Sequence, residues 1–222
     1  MWDRAALAQL LRTGLPIFGL YYLETSLGTF DRVLLLKHGG LEQVGFYSLS
    51  LSVQQALLIV PTSIATYAYP RMTFHWGKDG DRRALWRRAW RSTAAAVGVM
   101  VPVVAISFVI LPWLVPTLFP KYQAGVLAAQ VTLVGALFNQ SAIGVNALLS
   151  MKAWRAMATY QVGGALLRAA GPFVGVLVAP TPLIGVAAGT TCACAVQFLL
   201  GLALTHWMTI GGGAPVNSVA AA

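Results

Sequence analysis

Glu24, Asp31, Arg32 and Arg168 stand inside long apolar stretches of a 222-residue chain that is 58% hydrophobic and only 9% charged. A charged side chain at the centre of a bilayer costs roughly 2.5–3.5 kcal/mol on insertion scales unless it is paired or faces water. Glu24 and Asp31 lie seven residues apart and so share one stripe of a helix. With a rise of ~1.5 Å per residue, Glu24 sits roughly 15 Å and Asp31 roughly 25 Å from the edge where the first span begins. Arg168, on a fifth span, falls at an intermediate depth. Two arrangements satisfy such groups: ion pairs that lock helices together, or a hydrated cavity where Arg168 attracts an anionic group and a carboxylate binds a proton or cation. Arg32 is close enough to the far surface to snorkel. Gln54, Gln55, Asn139 and Gln140 add neutral hydrogen-bonding groups at mid-helix on two further spans, suited to interhelical bonding or to cavity lining.

Catalysis finds less to work with. His38, His75 and His206 fall at or outside the ends of the apolar runs, and neither a Gly-x-Ser-Gly nucleophile nor a His-Glu-x-x-His metal motif is present. Cys192 and Cys194 share one span at i,i+2 and point to nearly opposite faces, which excludes pairing with each other. The expectation is a protein that is not an enzyme and that has no metal or other cofactor.

The elements that must position these groups are membrane spans. A soluble domain carries roughly 25% charged residues, so lipid is the solvent for most of this surface. Apolar windows bounded by Gly, Pro and charge fall near 14–36, 43–69, 92–115, 123–149, 155–179 and 182–206, each long enough to cross. The expected fold is all-α, a polytopic membrane protein of six helices. One side of these spans receives Arg4, Arg12, Arg71, Lys78, Arg82, Arg83, Arg87, Arg88, Arg91, Lys152 and Arg155, the other only Lys37 and Lys121. By the positive-inside rule the first side is cytoplasmic, which puts both termini there in the inner membrane. The net charge of +9 is thus spent on sidedness and implies no nucleic acid partner. Residues 1–13 read as an amphipathic cytoplasmic segment and 207–222 as a disordered tail. The stretch from Pro70 to Arg91 reads as the one long loop, with Trp86 and Trp90 among its arginines suiting anionic headgroups or a gating contact. Pro61, Pro102 and Pro172 fall within spans and predict kinks.

The order and spacing of short motifs adds a resemblance. Gly14-x-Pro16, Asp31-Arg32, Gly45-x-Tyr47, Tyr69-Pro70-Arg71 with Gly80-Asp81, and Phe119-Pro120-x-Tyr122 together resemble the C-terminal half of polysaccharide flippases. These form the O-antigen and exopolysaccharide branch of the multidrug, oligosaccharidyl-lipid and polysaccharide exporter superfamily. The resemblance runs from residue 12 to about 206. It implies one six-helix lobe of a two-lobe transporter that moves lipid-linked oligosaccharide or polysaccharide precursors across the membrane by alternating access. Glu24, Asp31 and Arg168 would line the central cavity, and Phe119-Pro120-x-Tyr122 would be a structural turn. The first lobe has no counterpart here, so the chain reads as a half-transporter or a fragment, completed by an N-terminal lobe partner or by a homodimer. The other reading is a non-transporting membrane subunit that scaffolds a polysaccharide biosynthesis complex.

Overall fold

Glycine and proline decide where the apolar runs stop being helical. The computed structural model describes residues 26–140 and 142–211, together with Leu15, Phe18, Gly19 and Tyr22. Glu24, the segment 1–13 and the tail from residue 212 lie outside the described residues. In chain order the helices are α1 (Phe30–Leu57), α2 (Ile59–Asp79), α3 (Arg82–Leu118), a 3-10 helix (Pro120–Gly125), α4 (Val126–Gln140), a 3-10 helix (Ala142–Val145), α5 (Asn146–Ser150), α6 (Trp154–Val178) and α7 (Pro182–Ile210). Among the described residues five helical stretches are long and apolar enough to cross a membrane: Phe30–Asp79, Arg82–Leu118, Pro120–Ser150, Trp154–Val178 and Pro182–Ile210.

The first stretch is not one straight rod. At Gly40, φ 75° and ψ 178° are open to glycine and strained for any other residue, so α1 divides into an arm ending at Gly39 and an arm starting at Leu41. A straight helix would hold Asp31 and Tyr47 about 24 Å apart. Instead the Tyr47 hydroxyl donates to Asp31 Oδ2 at 2.8 Å, so the arms lie side by side. A second, milder break at Leu58 separates α1 from α2. Its cause is Pro61, whose ring crowds the carbonyl four residues back and has no N–H to offer it. The helices run unbroken through Pro102 and Pro172.

The long loop expected from Pro70 to Arg91 is replaced by a helical hairpin. α2 continues past Pro70 to Asp79, Gly80 closes it in the left-handed conformation (φ 60°), and its N–H reaches Trp76 O at 3.0 Å. Asp81 then caps α3 by accepting from the Arg83 backbone N–H at 2.9 Å. Periodicity missed this because the charges that suggest a loop ride on a helix projecting beyond the apolar layer. At 37 residues, α3 is about 55 Å long against a hydrocarbon thickness of about 30 Å. At the far end of the chain α7 continues through Ile210, so residues 207–210 of the expected tail are helical.

Two buried clusters mark the two ends of the bundle. Met72, Leu85, Ala89 and Ala147 pack together from α2, α3 and α5, at the end that carries the arginine-rich turn. Leu35, Tyr47, Ala128, Leu183 and Val186 pack together at the other, near Lys37.

α6 and α7 approach most closely, through facing glycines. An added Cβ at Gly171 would stand 2.5 Å from the Gly189 carbonyl oxygen, and one at Gly175 would strike the Gly185 carbonyl. Gly171-x-x-x-Gly175 and Gly185-x-x-x-Gly189 are the small-residue spacing that lets membrane helices touch backbone to backbone. That signal was readable in the sequence and fixes how α6 presents Arg168 to α7.

Candidate functional site

A polar cavity of about 420 Å3 opens between the two arms of α1 and helices α4, α6 and α7. Asp31, Arg32, Tyr47, Gln54, Gln55, Asn139 and Arg168 line it, with Thr190 and Cys194 from α7. A second cavity of about 250 Å3 adjoins it, sharing Leu58, Asn139 and Arg168 and adding Thr62, Asn146, Tyr160 and Gln161. Arg168 and Asn139 therefore stand on the wall common to both.

Asp31 is in the first turn of α1 and is 7% exposed. Its Oδ1 accepts from the Arg32 backbone N–H at 2.7 Å while Oδ2 accepts from Tyr47. The second arm of α1 brings Tyr47, almost wholly buried, against the carboxylate because the chain reverses at Gly40. A carboxylate held this way keeps two donors in a place that bulk water barely reaches, which limits its desolvation cost.

Arg168 is half-buried on α6. Its Nη2 donates to Asn139 Oδ1 at 2.7 Å and its Nε donates to Gln197 Oε1 at 3.1 Å. Both acceptors are amide oxygens, and the two bonds orient the guanidinium. Gly164, one turn before Arg168, makes the second bond possible. An added Cβ there would stand 2.5 Å from Gln197 Cδ, so only a glycine leaves α7 room to lay Gln197 against α6.

The residues singled out from sequence thus separate as follows. Asp31, Gln54, Gln55, Asn139 and Arg168 come together on one cavity. Arg32 joins its exposed rim, as snorkelling allows. Glu24 lies outside the described residues, and Gln140 is the last residue of α4. His38, His75 and His206 line neither cavity. Tyr47, Gln197 and Gly164 were not singled out as site residues. Tyr47 carried a signal in its Gly45-x-Tyr47 context, whereas Gln197 looked like one more isolated amide in an apolar run.

The arrangement sets a carboxylate and an amide-braced guanidinium on the walls of an open polar space inside an apolar bundle. It can hold a polar or charged group by hydrogen bonds of both senses. Comparison with protein-family models, with curated proteins and with solved structures finds no match to this chain.

Proposed function

We propose that this chain is one six-helix lobe of a membrane transporter that moves lipid-linked oligosaccharide or polysaccharide precursors across the cytoplasmic membrane, with both termini in the cytoplasm. The observation that carries the reading is convergence: five polar residues scattered from position 31 to 168 of an apolar sequence share one cavity. Groups that serve only to lock helices need not share one space, whereas these do. Within the reading, Gly40 marks the point where the chain turns back into the bundle. A polar headgroup would sit against Asp31 and Arg168 while its lipid tail stays in the bilayer. One lobe offers one wall, so alternating access requires a second lobe, supplied by another copy or by an N-terminal lobe partner.

The test is translocation in vesicles of reconstituted protein, read with a fluorescent lipid-linked oligosaccharide and a membrane-impermeant quencher. Wild-type chain, alone or with its second lobe, is expected to expose inner-leaflet label to the quencher; R168Q, which removes the braced guanidinium, is expected to lose most of that rate. Translocation that is equal with and without protein, or unchanged in R168Q and D31N, would sink the reading. Copurification with a glycosyltransferase while translocation proceeds without this chain would favour the scaffolding alternative.

A further inference from the structure

The first turns of α3 carry Arg82, Arg83, Arg87, Arg88 and Arg91, and residues 92–118 carry no charge at all. Those uncharged residues rise about 40 Å, more than the roughly 30 Å hydrocarbon layer, so the arginines stand at one membrane face. Their orientation is set by packing. Leu85 and Ala89 are buried against α2 and α5, which leaves Arg83, Arg87 and Arg91 exposed in a single i, i+4, i+8 stripe and Arg82 and Arg88 half-buried. Like charges at this spacing repel, and cations at a helix N-terminus oppose its dipole. Of the nearby carboxylates, Asp79 lies 3.8 Å from His75, and Asp81 accepts the Arg83 backbone N–H at the start of the helix. Among the described residues, Arg83, Arg87 and Arg91 make no ion pair. Beside the stripe, Trp90 is 51% exposed and stacks on Trp86 at 6.1 Å, and Trp86 meets the His206 ring of α7 edge-on at 5.1 Å.

We propose that Arg83, Arg87 and Arg91, with Trp90, form a binding site for anionic glycerophospholipid headgroups. Lipid phosphates bridge successive guanidiniums and relieve their repulsion, and the Trp90 indole sits at the headgroup level, where amphipathic rings are favoured. The site goes beyond general sidedness because packing selects three of the five arginines. It stands whether or not the chain transports.

The test uses full-length protein in phosphatidylcholine vesicles containing phosphatidylglycerol, with spin-labelled lipids of both kinds to measure selectivity at the protein surface. Wild-type chain is expected to prefer phosphatidylglycerol by about threefold or more, with the preference falling as salt rises. The variant R83Q/R87Q/R91Q is expected to approach no preference, while R71Q/K152Q/R155Q, which removes equal charge at the same end, retains it. The variant R83K/R87K/R91K guards against misfolding and keeps the preference. Equal loss in both glutamine variants, loss in the lysine variant, or no preference in the wild type overturns the proposal; the last outcome leaves the stripe to an acidic soluble partner.

Discussion

Asp31 and Tyr47 show how two side chains can hold a turn of the main chain as well as line a cavity. Removing the phenol hydroxyl leaves a mostly buried carboxylate short of one donor, and hydrogen bonds to charged groups contribute about 1.5–3 kcal/mol. Y47F is therefore expected to lower unfolding stability by that order, and D31N/Y47F to lose less than the sum of D31N and Y47F alone. A double-mutant cycle of unfolding in mixed micelles measures this, and full additivity would deny the coupling. At Arg168 the geometry asks for a fork. Arg168 reaches Gln197 and Asn139 from two separate nitrogens, whereas lysine carries its donors on one, so R168K is expected to retain only a small fraction of the translocation rate.

At the scale of the helix, glycine positions divide by what surrounds them. Gly189 faces the Gly171 carbonyl, whereas nothing lies within 4 Å of a Cβ built on Gly98. G189A is expected to force α6 and α7 apart and to cost about 2 kcal/mol or more, by analogy with overpacked cores. G98A is expected to be neutral or to stabilise α3 by up to about 1 kcal/mol, since alanine is the better helix former. Equal effects of the two in thermal unfolding would deny that the α6–α7 contact is close. G164A is a subtler case: it displaces Gln197, so its expected signature is a weakened translocation rate with most of the fold retained. Of the six apolar runs expected, the structure shows five helical stretches long enough to cross among the described residues; these were legible because composition and length suffice for spans. The α2–α3 hairpin was not, since a basic run reads the same on a loop and on a helix that has left the bilayer.

For the whole molecule, the exposed face of α2 matters. Thr62 lines the second cavity, and Thr62 and Thr66 are exposed with their hydroxyls bonded to the backbone one turn earlier. A second lobe closing the cavities would meet this face. If that lobe is another copy, single cysteines at Thr62 or Thr66, in a variant lacking Cys192 and Cys194, are expected to cross-link the chain to itself in membranes; cysteine at the exposed Leu177 of α6 is expected not to. Cross-linking at Leu177 alone would place any self-association elsewhere.

Solvent class was decided by the sequence alone. A chain with so few charges, gathered between apolar runs long enough to cross, has to bury its backbone polar groups in helices and keep lipid around them. The expected sidedness rests on where Lys and Arg collect, and the charges within the runs announce themselves by their cost. Tertiary structure decided what each of those charges meets. Asp31 reaches Tyr47 only because Gly40 turns the chain back, and Arg168 reaches Gln197 only because Gly164 has no side chain. Contacts between residues 16 or 29 positions apart depend on how helices rotate and cross, and that is set by packing across the bundle rather than by any local pattern.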